Sequence, residues 1–86
     1  MELSECRAKL DEIDEQIVKL FEERMEISEQ VASYKKEHAL PVLDESREKQ
    51  KIEAVRNLSA PKNREAMAKL FEKIMEISRS RQEQIL

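Results

Sequence analysis

The stretch that decides the fold is residues 3–34, LSECRAKLDEIDEQIVKLFEERMEISEQVASY. Alternating steps of three and four pick out one apolar stripe with Arg24 in its middle. The stripe consists of Leu3, Cys6, Leu10, Ile13, Ile17, Leu20, Ile27, Val31 and Tyr34. Such a 3.5-residue repeat keeps one seam of a long helix against partner helices. A guanidinium in that seam is costly unless an anion meets it, so either the fold or a ligand must supply the anion.

The first helix is predicted to run from about Ser4, a candidate N-cap, to about Lys36 or His38. Its interior contains no glycine or proline, and Pro41 ends it by forcing the preceding residue out of the helical conformation. About 33 residues at 1.5 Å each give a helix of roughly 50 Å. That is long for a chain of 86 residues.

The second helix is predicted to start near Asp44, a good N-cap, and to end at about Leu58. Ser59 is a candidate N-cap for the third helix, which is predicted to begin at Pro61 or Asn63 and to reach nearly to the end of the chain. A short turn joins these two helices, so they are unable to cover the first one, and its stripe needs a second copy of itself. The pattern therefore predicts an all-α fold of three helices, one very long, in a homodimer.

Composition excludes several function classes. The chain has no Gly, one Cys, one His and a net charge of −3. Phosphate-cradling loops and dinucleotide fingerprints need glycine, and one Cys with one His builds neither a metal site nor a disulfide. We therefore expect no metal, a reducing cytoplasmic setting and one domain over residues 1–86. Interspersed charges argue against nucleic-acid binding, and no apolar run predicts a membrane span or a signal peptide.

Cations and amides fall on faces that the periodicity places in the interior. Lys35 follows Arg24 by about three turns and shares its face. The other members of this set are Asp44, Arg47, Glu48, Ser78 and Gln82. Arg7 lies about 25 Å from Arg24 along the helix, too far to share a site within one chain, although an antiparallel partner brings its copy closer. On the pattern alone, a structural salt bridge between Arg24 and Glu48 explains the buried cation as well as a ligand does.

The order and spacing of these residues resemble those of the chorismate mutases of the all-helical (AroQ-type) class, and the resemblance covers nearly the whole chain. The resemblance is carried by Arg7, Leu10-Asp11-Glu12-Ile13-Asp14, Leu20-Phe21-Glu22-Glu23-Arg24, Val31-Ala32, Lys35, Pro41-Val42, Asp44-Glu45-Ser46-Arg47-Glu48, Leu70-Phe71, Ile74-Met75-Glu76, Ser78 and Gln82. It implies a chorismate mutase domain over residues 1–86. It also implies cofactor-free rearrangement of chorismate to prephenate, in aromatic amino-acid biosynthesis by the shikimate pathway, within an intertwined helical homodimer.

The resemblance implies that two arginines hold the two carboxylates of the substrate. Arg7 comes from the partner chain and acts with Arg24, while Arg47 and Ser78 support this grip. Salt bridges at both carboxylates fix the compact, chair-like conformer from which the rearrangement proceeds.

The remaining implied roles concern the ether oxygen and the ring hydroxyl. Lys35 and Gln82 donate to the ether oxygen, where negative charge grows as its bond to carbon lengthens. Glu48 and the Asp44 backbone bind the ring hydroxyl. The rearrangement needs neither a proton transfer nor a nucleophile, so a site without a catalytic His or Cys suits it.

Two alternatives stay open at this point. An isochorismate–pyruvate lyase resembles the same fold and uses similar charges. A non-catalytic helical dimer that binds a partner helix explains the apolar stripe without any reaction, and it predicts that Lys35 and Gln82 are dispensable.

Overall fold

The computed structural model describes residues 1–85 and contains three α-helices. They are α1 (Leu3–Glu37), α2 (Glu45–Leu58) and α3 (Arg64–Ile85), and a 3₁₀ turn at Pro61–Asn63 leads into α3. No strand occurs among residues 1–85. The predicted all-α fold with one very long helix is confirmed, and the helix bounds agree with the prediction to within a few residues.

The start of α1 differs from the prediction. The helix begins at Leu3 with Glu2 at its N-cap, so the N-cap assigned to Ser4 is wrong. The Cys6 N–H donates to the Glu2 carbonyl at 3.0 Å, which makes this the first turn of the helix. Acidic residues at this end suit the positive pole of the helix dipole, which favours a helix that begins two residues earlier than a cap at Ser4 predicts.

The C-terminus of α1 closes in a Schellman motif around a residue that is not glycine. The Leu40 N–H donates to the Lys35 carbonyl at 2.8 Å, and the Ala39 N–H donates to the Lys36 carbonyl at 3.4 Å. Ala39 takes a φ of 52°, the left-handed conformation that glycine usually supplies at this position. The motif turns the chain sharply ahead of Pro41 and directs the following loop back towards α1.

Of the two N-caps predicted at Asp44 and Ser59, which lie at the two ends of α2, one is confirmed and one is wrong. Asp44 is the N-cap as predicted, and its Oδ1 accepts from the Arg47 N–H at 3.0 Å. Ser59 is wrong as an N-cap for the third helix, because it closes α2 instead. Its hydroxyl donates to the Val55 carbonyl at 2.5 Å, a bond that satisfies a carbonyl at the helix end.

Helices α1 and α3 pack in parallel through a nearly repeated sequence. Residues 20–28 read LFEERMEIS and residues 70–78 read LFEKIMEIS, which differ only at the fourth and fifth positions. The methionine and serine of each copy are buried, namely Met25, Ser28, Met75 and Ser78. Serines let two helix backbones approach closely, while flexible methionines fill the gaps that remain.

Helix α3 runs antiparallel to α2. Glu48 pairs with Arg79 towards one end of the contact, and Arg56 pairs with Glu65 towards the other. Val55 is buried between these ion pairs along α2. The start of α2 is thereby held beside the C-terminal half of α3, where the α1–α3 contact also lies.

The N-terminal half of the predicted apolar stripe of α1 lies on a face that α2 and α3 leave open. Every residue from 7 to 20 is exposed, and the side chains of Leu10, Ile13 and Ile17 are half-exposed or more. This confirms the prediction that the two shorter helices do not cover the stripe. Among residues 1–85, no helix combines the length and apolar composition needed to cross a membrane.

Candidate active site

A groove forms where the C-terminal half of α1, the start of α2 and the C-terminal half of α3 meet. Its volume is about 350 Å³. Seven predicted residues line it, all from one chain: Arg24, Lys35, Asp44, Arg47, Glu48, Ser78 and Gln82. Residues from three separate elements therefore converge on one concave surface.

Arg24 lies in the groove without a carboxylate partner among residues 1–85. Its Nη1 donates to the Ser78 hydroxyl at 3.1 Å, and that hydroxyl also contacts the Met25 sulfur at 3.7 Å. Partial burial, followed by repulsion from Arg47, lowers the pKa of Arg24 below the usual arginine value. The interpretation of Arg24 and Glu48 as a structural salt bridge is wrong, because Glu48 pairs elsewhere.

Lys35 is held at the α1 end of the groove by two oxygens. Its Nζ donates to the Val42 carbonyl at 2.6 Å and to Gln82 Oε1 at 3.4 Å. Val42 belongs to the loop that the Schellman motif turns back towards α1. An ammonium group has three donors, so one remains for a ligand.

Gln82 is buried, and Ser28 binds its amide nitrogen. Nε2 donates to the Ser28 hydroxyl at 2.9 Å and to the Ser28 carbonyl at 3.2 Å, while Oε1 faces Lys35. Both amide hydrogens are therefore directed towards α1. Donation from Gln82 to a ligand requires the amide to turn over, and the Ser28 hydroxyl can serve either orientation because it both donates and accepts.

Glu48 faces the groove from α2 and pairs with Arg79 of α3. The Arg79 Nη1 donates to Oε1 at 2.5 Å and to Oε2 at 2.6 Å. Asp44 also lines the groove, and its side chain makes the capping bond with the Arg47 N–H.

Cations outnumber carboxylates along the groove. The cations are Arg24, Lys35, Arg47, Lys51 and Arg79, and the carboxylates are Asp44 and Glu48. Sequence reasoning missed Lys51 and Arg79. Lys51 lies one turn beyond Arg47 on α2, so helical spacing alone could have predicted that the two residues share a face. Arg79 reaches the groove only through the packing of α3 on α2. The groove is suited to an anion, although the chain carries a net charge of −3.

Arg7 is the one predicted site residue that a single chain does not bring to the groove. It is exposed on the N-terminal half of α1, about 25 Å from Arg24 along the helix. Among residues 1–85, no three His, Cys, Asp or Glu side chains are grouped as metal ligands.

Comparisons with known proteins agree with the resemblance. The model of the family described as chorismate mutase type II matches residues 6–83. A chorismate mutase from Methanocaldococcus jannaschii is 35% identical over 86 residues, which cover 98% of this chain and 87% of the relative. No solved structure gives a significant match.

Proposed function

The chain belongs to the chorismate mutase type II family, whose members are isomerases, and we propose that its groove converts chorismate into prephenate. Family membership favours this reaction over the isochorismate–pyruvate lyase and over the non-catalytic dimer. We also propose that residues 1–86 act as one chorismate mutase domain of aromatic amino-acid biosynthesis, in the cytoplasm.

One observation carries the proposal for the groove. Arg24 and Arg47 lie close enough for repulsion to lower the pKa of Arg24, and among residues 1–85 neither guanidinium meets a carboxylate. Two such cations favour a ligand that brings its own negative charges. Chorismate carries two carboxylates, so its binding supplies the missing counter-charges.

The substrate is proposed to bind with one carboxylate at Arg24 and Arg47 and with Ser78 in support. Ser78 already accepts from Arg24, so it fixes the direction of the guanidinium before the ligand arrives. Holding the carboxylates confines chorismate to the folded conformer in which the new carbon–carbon bond can form. Such confinement removes much of the entropic part of a barrier.

The electrostatic part of catalysis is proposed to come chiefly from Lys35. As the carbon–oxygen bond lengthens, negative charge develops on the ether oxygen, and a preorganised ammonium stabilises it. The Val42 carbonyl and Gln82 Oε1 hold that ammonium in place. In the observed orientation Gln82 orients the Lys35 ammonium through Oε1. In the turned orientation Gln82 gives up this contact, and Nε2 donates to the ether oxygen instead.

The ring hydroxyl is proposed to bind at the α2 side of the groove. Glu48 accepts its hydrogen, and the Asp44 backbone lies nearby. The two bonds from Arg79 leave lone pairs free on the Glu48 carboxylate, which has about four acceptor positions in all.

The second carboxylate is proposed to bind the partner's Arg7 in an intertwined homodimer. The open apolar stripe on α1 supports this assembly, because an exposed stripe over residues 3–20 is some 25 Å long and needs a cover. A second copy of the same heptad seam is its natural complement.

A direct assay tests the proposed function. Purified protein is mixed with chorismate, and the loss of chorismate absorbance is followed for wild type and Arg24→Ala. We expect rapid loss with wild type and a rate near the uncatalysed one with the variant. If the wild-type rate also equals the uncatalysed rate, the proposal is wrong, and salicylate formed from isochorismate would point to the lyase instead.

A further inference from the structure

We infer that Arg79 is a positioning residue that holds Glu48 ready for the ring hydroxyl, an inference that rests on the proposed function of the groove. Arg79 follows Ser78 on α3 and contacts both oxygens of Glu48 through one nitrogen, Nη1. The side chains of Arg79 and Glu48 are 32% and 25% exposed, so the pair is partly shielded from water.

The pair stands between two cavities. Glu48 and Arg79 line the groove, and they also line a second cavity of about 650 Å³ between α2 and α3. The outer part of this second cavity is formed by residues that do not reach the groove, including Ile52 and Arg56. The ion pair thus forms part of the wall that separates the substrate groove from the outer surface of the α2–α3 pair.

The charges in the groove explain why Glu48 needs such a partner. A lone carboxylate among Arg24, Lys35 and Arg47 would pair with one of them, since opposite charges within a few ångströms attract strongly at low dielectric. That cation would then be lost to the substrate, and Glu48 would be drawn away from the ring hydroxyl. Arg79 satisfies Glu48 from α3 and so leaves the other cations available for carboxylates.

A purely structural role for Arg79, as a tie between α2 and α3, makes different predictions. A structural tie made by this ion pair lowers the melting temperature when either partner is replaced and leaves kcat/KM of the folded protein unchanged. A positioning role acts on kcat/KM through Glu48, so the losses of kcat/KM caused by Arg79→Met and Glu48→Gln are not additive. Because a single nitrogen makes both contacts, a lysine ammonium should replace it.

The experiment measures kcat and KM for chorismate in Arg79→Met, Arg79→Lys, Glu48→Gln and the Arg79→Met/Glu48→Gln double variant. Arg81→Met is the matched control, because Arg81 pairs with Glu29 at 2.8 Å and ties α3 to α1 without lining the groove. Methionine keeps the apolar stem of the arginine in each case. Melting temperatures at one protein concentration verify that every variant is folded.

We expect Arg79→Met to lower kcat/KM about tenfold, and Arg79→Lys to recover most of the loss. In the Glu48→Gln background, Arg79→Met should change kcat/KM by less than about twofold. Arg81→Met should likewise change the wild-type kcat/KM by less than about twofold. An Arg79→Met variant as active as Arg81→Met, or a full tenfold loss that persists beside Glu48→Gln, overturns the positioning role alone. A wild-type protein with no mutase activity overturns the proposed function, and the role of Arg79 with it.

Discussion

Lys35 is the residue on which the proposed chemistry depends most. The Val42 carbonyl and Gln82 Oε1 hold its ammonium group in place, and one of the three N–H donors remains free. Removing one preorganised donor typically costs about 10²–10³ in kcat. We expect Lys35→Ala to lose activity by this factor, measured as initial rates of chorismate consumption. Lys36→Ala, which removes the neighbouring exposed lysine, is the control, and equal activity in the two variants would contradict the assigned role.

Arg24 shows the conflict between stability and function at the scale of one residue. Its pKa is lowered, so the folded state holds the proton less tightly than the unfolded chain, and the charge opposes folding at every pH at which it is present. We expect Arg24→Leu to keep or raise the Tm, by up to about 4 °C, while it abolishes activity.

Ligand binding separates these two effects of Arg24. A dicarboxylate analogue of the transition state at about 100 times its Kd should raise the wild-type Tm by about 10–20 °C and leave the Tm of Arg24→Leu unchanged. An equal shift in both proteins would show that the ligand binds elsewhere.

The residues of the groove differ in how far sequence predicted them. Arg24, Lys35, Ser78 and Gln82 follow from helical spacing and from the resemblance to a known family, since each lies on an inward face of its own helix. Arg79 was missed because its contact depends on the register of α3 against α2, which the pattern of a single helix does not contain.

At the scale of helices, the end of α1 carries a removable strain. Ala39 is left-handed, a conformation that costs a residue with a Cβ about 1 kcal/mol and costs glycine little. Ala39→Gly should therefore raise the Tm by about 4–8 °C at a fixed protein concentration, with no loss of activity. Ala54→Gly, in the exposed interior of α2, is the opposite control and should lower the Tm by a similar amount. A lower Tm for Ala39→Gly would contradict the Schellman geometry.

Helix caps were predicted with mixed success for a physical reason. Asp44 was correct because Pro41 fixes where the chain turns, so the first residue after the turn with a capping side chain becomes the N-cap. Ser4 and Ser59 were wrong, since a serine caps a helix only if the backbone leaves the helix at that residue. No proline or glycine lies near Ser4, and Pro61 places the cap that precedes the third helix at Ala60 rather than at Ser59.

For the whole molecule, the open stripe on α1 makes a prediction about assembly. Ile17 belongs to the stripe and Val18 does not, yet their exposure in one chain is nearly equal, 57% and 56%. Ile17→Glu should bury a charge at the seam of the proposed homodimer, dissociate it and remove activity, whereas Val18→Glu should remain dimeric. Light scattering after size-exclusion chromatography measures both. Equal behaviour of the two variants would contradict the seam.

The fold and the open stripe were predictable from sequence because both follow from periodicity. The face of α1 that contacts α3 was not predicted. Its members, including Ser28 and Ala32, are small or polar and do not stand out as an apolar stripe. The near-repeat of residues 20–28 at 70–78 was the signal that marked this contact.

Subunit mixing tests most directly the proposal that Arg24 of one chain and the partner's Arg7 bind one substrate in a shared groove. Arg7→Ala and Arg24→Ala should each be inactive alone. Refolded together from urea, they form mixed dimers in which one groove regains both arginines. Random pairing makes half of the dimers mixed, so the mixture should recover about a quarter of wild-type chorismate mutase activity. A mixture that forms dimers and stays as inactive as its parents would show that the two arginines do not act in one shared groove.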